Sequence, residues 1–280
     1  MNLTGSKKNP LAVNCPEVVK VLSGFIRIEV QKTGFEKVVL GLSGGIDSSL
    51  SAALAVDALG ADNVYGVMMP YKNSNPDSLG DATVLAEKLG IESRTMEITQ
   101  MVEPYFKTAA GIDNMRRGNV MARQRMIVLY DLSAEISALV LGTSNKTEYL
   151  LGYSTLWGDS ACALNPLGDL YKTQVWKLAR FLELPERIIS KKPSADLWTG
   201  QTDEEELGFT YKEADEVLAL LVDCRMKTEQ AAARGHDEQF VDRIMRMVRQ
   251  TQYKRHLPLI AKLSNRTINR DFRFPRDWGL

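Results

Sequence analysis

Apolar positions in the first half of the chain alternate between two spacings. Val18, Val19, Leu22, Phe25, Ile26 and Val30 recur at helical intervals and predict an amphipathic helix over 16–34, ending near Gly34. Val38-Val39-Leu40 is a solid apolar run, as expected of a strand buried on both faces, and predicts β-structure over 37–42. Helical spacing returns over Ile46–Leu59 with Leu50, Ala53, Leu54, Val56 and Ala58. Asn63–Met69 reads as a second strand stopped by Pro70, and Asp77–Leu89 as a helix stopped by Gly90. Glu92–Ile98 reads as a third strand, 99–110 and 118–135 as helices, and Ser137–Gly142 as a short buried strand. Strands alternating with helices predict an α/β fold with a doubly wound, mostly parallel sheet flanked by helices.

The second half keeps helical spacing over 171–183, 210–223, 225–233 and 237–256, so the C-terminal part is expected to be helical. Between these helices, Lys191–Gly208 is polar and long enough to form a mobile lid, with Gly200 and Gly208 as hinges. There is no internal repeat. One domain over 1–280 is expected, with 1–35 as its N-terminal helical segment and 191–208 as its lid.

Composition narrows the class. The formal net charge is +0, which argues against a general nucleic-acid surface. No apolar run approaches the roughly 20 residues of a membrane span. Met1–Asn14 is polar and carries Lys7 and Lys8, with no apolar signal core behind it. Cys15, Cys162 and Cys224 are far apart, which suits a reducing, cytoplasmic setting and neither a zinc site nor a disulfide framework.

Candidate chemistry concentrates where the first strand meets the first helix, at Gly41-Leu42-Ser43-Gly44-Gly45-Ile46-Asp47-Ser48-Ser49. Such a junction presents free backbone N–H groups and the positive end of a helix dipole, and therefore suits phosphate. Gly44 and Gly45 allow close backbone approach, and Ser43, Ser48 and Ser49 add hydroxyl donors. Asp47 would repel a phosphate unless a cation lies between them, so its presence predicts Mg²⁺. A Walker loop needs a Lys that is missing here, and the glycine spacing does not fit a dinucleotide fingerprint. The Ser-Gly-Gly-x-Asp-Ser run resembles the pyrophosphate loop of ATP pyrophosphatases, which implies attack at the α-phosphate of ATP.

Further runs follow in order. They are Gly118-Asn119-Val120-Met121-Ala122-Arg123-Gln124-Arg125-Met126, Gly142-Thr143-Ser144-Asn145-Lys146-Thr147-Glu148, Gly158-Asp159, Asn165 to Val175, Lys192 to Leu197, and Gln201 to Glu204. With the loop, this set resembles the ammonia-dependent NAD synthetase family from about residue 15 to at least residue 260. The resemblance implies the ATP pyrophosphatase fold, of adenine nucleotide alpha-hydrolase type, and a two-step ligase reaction. The nicotinate carboxylate of deamido-NAD⁺ attacks ATP and releases pyrophosphate; ammonia then displaces AMP to give NAD⁺.

Carried over residue by residue, the resemblance assigns ATP to Gly41 through Ser48 and to Thr143, Lys172 and Ser194. It assigns Mg²⁺ to Asp47 and Glu148, and deamido-NAD⁺ to Arg123, Arg125, Asp159, Tyr253 and Lys254. Arg123 and Arg125 fall on different faces of one helix, so one of them is expected to reach the ligand, and Arg123 is favoured. Asp159 and Lys172 are the catalytic candidates: Asp159 to bind or deprotonate ammonium, Lys172 to supply the phosphate cation that the loop lacks. Lys191 and Lys192 are further phosphate candidates.

Two positions depart from the pattern. Many bacterial members carry Lys where this chain has Leu156 and Asp where it has Ala163, both toward deamido-NAD⁺. The resemblance also implies a homodimer with the dinucleotide site at the interface, and the apolar faces of Pro16–Gly34 and Val217–His256 are candidates to form it. Only residues 1–36 precede the first strand, without a nitrilase-like Cys, so free ammonia is the expected nitrogen source. Two other readings compete: a different ATP pyrophosphatase that amidates or thiolates another acid, and a non-catalytic ATP sensor. Thiolation would call for paired cysteines, and a sensor would not call for Glu148 or Lys172.

Overall fold

The computed structural model describes residues 9–272 apart from Ala195, Leu197 and Thr199. Expectations for residues 1–8 and 273–280, and for Ala195 and Leu197, fall outside the described residues.

Four strands, β1 (Lys37–Gly41), β2 (Val64–Met68), β3 (Glu92–Thr95) and β4 (Ala138–Val140), form one sheet in the order β3-β2-β1-β4. Every pairing is parallel, with Val39 opposite both Tyr65 and Val140. Side chains alternate across the sheet. Val38, Leu40, Val64 and Met68 enter one core, which also holds α1 (Cys15–Gln31), α2 (Ile46–Leu59) and α7 (Lys172–Phe181). Val39, Val67 and Val140 enter another, against α4 (Thr99–Thr108) and α5 (Asn114–Glu135). The doubly wound arrangement follows from a sheet that is apolar on both faces.

Chain order runs outward from β1 to β3 and then returns to β4 on the other side of β1. The C-terminal ends of β1 and β4 therefore flank a topological switch point, the usual ligand crevice of open parallel sheets. A third core lies beside it. There α6 (Lys146–Leu151), α10 (Tyr211–Leu218), α11 (Thr228–Ala232) and α12 (Glu238–Gln250) pack Leu151, Tyr211, Val217, Leu218, Val241 and Ile244.

Several predicted boundaries shift for local reasons. α5 begins at Asn114, four residues before the predicted 118, because Asp113 accepts the Arg116 N–H at 2.8 Å and caps it. β3 stops at Thr95, although the Met96 and Ile98 N–H groups still reach the carbonyls of Met68 and Pro70. The 210–223 helix widens into a π turn over Ala219–Asp223, and Arg225 follows at φ 53°. The predicted 225–233 helix is confined to Thr228–Ala232, and 237–256 divides into α12 and a 3-10 turn over Gln252–Arg255.

The polar 191–208 stretch is also not loop throughout. α9 (Asp203–Leu207) closes it, with four acidic residues in its first turn and Gly208 at φ 74° as its stop. Two more short helices, α6 and α8 (Glu186–Ile189), had no periodic signal because one or two turns carry too few apolar positions.

Candidate active site

The phosphate-type loop grows out of β1. Leu42 N–H still bonds the Val67 carbonyl at 2.8 Å, and the chain then turns through Ser43-Gly44-Gly45 into α2. Gly44 sits at φ +70°, and a Cβ there would lie 3.1 Å from Asp81 Cβ and closer still to the Ser78 carbonyl oxygen. The turn therefore needs glycine for both conformation and space. Ser43 Oγ accepts the Gly45 N–H at 3.2 Å and lies 3.1 Å from Ser48 Oγ. Ser48 and Ser49 hydroxyls donate to the Gly45 carbonyl at 3.0 and 2.8 Å. No side chain caps α2, so its first-turn N–H groups and dipole face the crevice.

The second loop leaves β4 through Gly142 and Thr143. Asn145 caps α6 in a capping box, accepting the Glu148 N–H at 3.0 Å while Glu148 Oε2 accepts the Asn145 N–H at 3.2 Å. The Asn145 amide then donates to Asp47 Oδ1 at 2.9 Å and ties the two loops together across the switch point. Lys172 opens α7. Its N–H donates to Thr147 Oγ1 at 2.9 Å, and its ammonium pairs directly with Asp47 Oδ2 and lies 3.5 Å from Glu148 Oε1. The side chain is only 3% exposed.

This centre is electrostatically dense. Burial opposes the Lys172 charge, but Asp47 and Glu148 outweigh it and hold the ammonium pKa above its ordinary value. Burial and then the Asp47 carboxylate raise Glu148, while Lys172 and the Asn145 N–H pull it back. Asp203 is next to them, accepting the hydroxyls of Tyr211 at 2.9 Å and Tyr153 at 3.2 Å. Burial raises its pKa and Lys172 opposes the rise. The Tyr211 ring centroid lies 5.1 Å from the Lys172 ammonium, within cation–π range.

Behind the cluster, Asp215 accepts the Thr147 hydroxyl at 2.5 Å and the Thr173 N–H at 2.7 Å. Burial pushes its pKa up to about 6 despite those bonds.

Asp47 and Glu148 thus converge on one cation, and their hard oxygen donors suit Mg²⁺ completed by water and phosphate oxygens. The buried Lys172 ammonium lies between them.

On α5 the two arginines diverge, as their spacing requires. Arg123 is exposed and donates from Nε to the Leu156 carbonyl at 3.2 Å. Arg125 turns inward to the Met69 carbonyl at 3.0 Å, beyond β2. Desolvation lowers the pKa of Arg125, and Asp196 and Asp159 oppose the shift. Asp159 accepts the Thr155 N–H at 2.7 Å; burial raises its pKa, countered by that N–H and by Lys254. Lys254 donates to the carbonyls of Gly152 and Ser154, both at 2.7 Å, whereas Tyr253 is exposed. Arg125 therefore turns toward Met69 and Arg123 toward the loop that carries Leu156, three residues before Asp159. Leu156 contributes its carbonyl to Arg123, and Ala163 continues the sheet edge through its N–H to Val140 at 2.8 Å.

The described residues of 191–208 bond back to neighbouring elements. Ser194 Oγ donates to the Gln201 carbonyl at 2.7 Å, and Asp203 N–H bonds the Pro193 carbonyl at 3.0 Å. Asp196 accepts the Asn75 N–H at 3.1 Å, at the start of α3 (Pro76–Leu89). Lys191 bonds Ser78 Oγ and Asp81 Oδ2, each at 3.0 Å, directly behind Gly44. Beside Trp198 a cavity of about 260 Å³ is also lined by Tyr71, Asn73, Arg117 and Met121.

Asn145 and Asp203 entered the sequence reading only as members of the family runs, and Tyr211 and Asp215 not at all. The Asn145–Glu148 capping box was legible as a pattern, but the reach of Asn145 to Asp47 was not.

A Gly/Ser loop at a helix N-terminus, on the C-terminal edge of a parallel sheet and beside two carboxylates and a buried lysine, defines a nucleotide-binding α/β enzyme. The NAD synthase family model matches residues 18–258, and the chain belongs to that family. The NH(3)-dependent NAD(+) synthetase of Trichlorobacter lovleyi is 55% identical over 269 residues, covering 96% of this chain and 98% of that protein. Among solved structures, the NMN synthetase of Francisella tularensis aligns with a TM-score of 0.78 at 33% identity, covering 89% of this chain and 99% of that one. The NH3-dependent NAD synthetase of Campylobacter jejuni aligns at 0.77 and 35%, covering 89% and 100%.

Proposed function

We infer that the chain is a ligase that makes NAD⁺ from deamido-NAD⁺, ATP and ammonia, with release of pyrophosphate and AMP. The observation that carries this reading is the Asp47–Lys172–Glu148 cluster beside the Ser43–Ser48 loop, in a chain of this family. The 55% identity to an NH(3)-dependent relative supports the dinucleotide acid and ammonia over amidation or thiolation of another substrate.

In the first step a carboxylate oxygen bonds the α-phosphorus, the α–β bridge breaks, and pyrophosphate leaves. In the second, ammonia bonds the acyl carbon and AMP departs with that oxygen. The protein's task is to position two anions, spread charge and exclude water. Gly41, Leu42, Gly44, Gly45 and Ile46 supply backbone, and Ser43 and Ser48 hydroxyls, for the β- and γ-phosphates. Thr143, Lys172 and Ser194 complete the ATP site. When bound, Mg²⁺ would offset phosphate charge, and Asp47 and Glu148 are the residues that would hold it. Arg125 and Asp159 line the nicotinate end. Asp159, whose pKa is raised, is the group suited to take a proton from ammonium. Tyr253 and Lys254 flank the dinucleotide. Residues 191–208 act as the lid over the acyl-adenylate, within one functional unit spanning the chain.

The exposed Arg123 fits the shared dinucleotide site of a homodimer. Met115, Ile127 and Tyr130 on the same helix expose apolar area beside it, as does Tyr105 on α4. α1 also leaves Val21 and Ile28 half exposed, whereas Val217, Val241 and Ile244 are consumed by the chain's own third core. Sedimentation of the active protein is expected to give twice 31.3 kDa; a fully active species of 31.3 kDa would remove the shared site. The three free thiols suit a reducing cytoplasm, and no helix among the described residues is long and apolar enough to cross a membrane.

The test is pyrophosphate release by the purified protein. It is expected only with deamido-NAD⁺, ATP and an ammonium salt together, with NAD⁺ and AMP formed in equal amounts. AMP in excess of NAD⁺ would show that the lid does not exclude water. Activity with glutamine alone would overturn the ammonia assignment, and faster turnover of nicotinate mononucleotide would overturn the dinucleotide one.

A further inference from the structure

In the reading above Lys172 serves the phosphates of ATP, yet in this structure its ammonium lies between the two carboxylates assigned to the metal. We propose that Lys172 is the resident counter-ion of the metal position: its ammonium holds that place while nucleotide is absent, and leaves only when phosphates arrive to receive it. The proposal rests on the metal–ATP reading of the site.

Four observations carry it. Asp47 and Glu148 are both largely enclosed, and two carboxylates so placed repel unless a cation separates them. Lys172 is the side chain that supplies that cation, directly on Asp47 and 3.5 Å from Glu148. Its backbone is pinned by Thr147 and its neighbour's N–H by Asp215, so the charge moves through the side-chain torsions alone, over the Tyr211 ring. Among the described residues no three His, Cys, Asp or Glu side chains group as a metal cage, so the protein supplies few of the ligands and water and phosphate oxygens would complete the coordination.

A bare divalent ion therefore meets a position that already holds a positive charge and offers too few ligands. A metal–nucleotide complex brings the missing oxygens and a new partner for the ammonium in one event. Lys172 makes metal entry conditional on ATP.

Removing Lys172 should then move two affinities in opposite directions. Binding of bare metal should tighten, because the competing cation is gone. Binding of nucleotide should weaken, because the phosphate cation is gone. A lysine that only supports the fold would weaken both.

The experiment titrates the full-length chain with Mn²⁺, reading free ion by its paramagnetic resonance, with and without α,β-methylene-ATP. The wild type should bind Mn²⁺ weakly alone and tightly with the analogue. Lys172→Met should bind Mn²⁺ without nucleotide about tenfold or more tighter than the wild type, and should bind the analogue more weakly. Lys172→Arg, which keeps the cation, should match the wild type in the nucleotide-free arm. Lys172→Gln serves as a second removal variant should Met not fold. Equal Mn²⁺ affinity of the wild type with and without the analogue, or no tightening on removal of the lysine, would overturn the proposal. Failure of the wild type to bind Mn²⁺ even with the analogue would overturn the metal–ATP reading beneath it.

Discussion

Asp47→Asn is expected to lower kcat/KM for ATP by about a thousandfold, the scale on which a single preorganised charge at a reacting phosphate acts. The substitution is nearly isosteric but removes three things at once. It deletes one of the two carboxylates assigned to the metal, the direct partner of the Lys172 ammonium, and the anionic acceptor of the Asn145 amide. Lys172 then keeps Glu148 at 3.5 Å but loses its direct carboxylate partner, inside a site where a buried charge depends on its partner. Asp203 and the Tyr211 ring remain near the ammonium, so the fold should persist while the chemistry fails. Steady-state pyrophosphate release beside a circular-dichroism melt separates these effects. If Asp47 merely favoured the α2 dipole, its loss would cost about 0.3–1 kcal/mol, or about fivefold at most. A result of that size would remove Asp47 from the metal site.

Gly44→Ala is expected to abolish measurable ATP binding, with an affinity loss of about a hundredfold or more, because the loop pays twice. At φ +70° an L-residue is strained by roughly 1–2 kcal/mol. The new methyl would also meet the Ser78 carbonyl and Asp81 Cβ, backbone and near-backbone atoms that cannot swing aside. That wall is itself fixed by Lys191, which bonds Ser78 and Asp81. The control is Gly90→Ala at the end of α3. It shares a left-handed φ of 66° but has nothing within 4 Å of its Cβ direction. It should lose only the strain, about 1 kcal/mol of stability, and keep its nucleotide affinity. Titration of an ATP analogue into both variants reads the difference. Equal affinities would show that the loop has room for a side chain and that close backbone approach is not its purpose.

Much of the architecture could be read from Val38–Leu40, whose unbroken apolar run marks a strand covered on both faces, and from the glycine-rich turn behind it. These local signals place the loop, Asp47 and the first helix. Glu148 and Lys172 were legible only because their neighbouring runs resemble a known family. Nothing local brings residues 47, 148 and 172 to one point; the parallel crossover does. Asn145 shows the limit clearly. Its capping role is a four-residue pattern, whereas its bond to Asp47 spans two strand ends.

The arginine pair on α5 shows a different limit. Spacing separates Arg123 from Arg125 but cannot say which face meets the sheet. That is decided by the Met69 carbonyl, which Arg125 reaches. The short helices α6, α8 and α9 were invisible because one or two turns are held by capping and tertiary packing, with no periodicity of their own.

Adenylation of the nicotinate carboxylate is the central claim, and isotope transfer tests it most directly. Deamido-NAD⁺ carrying ¹⁸O in that carboxylate should yield AMP with one ¹⁸O per molecule, unlabelled pyrophosphate, and NAD⁺ retaining the other oxygen in its amide. Mass spectrometry of the AMP gives the answer. Unlabelled AMP, or ADP and phosphate in place of AMP and pyrophosphate, would contradict the account.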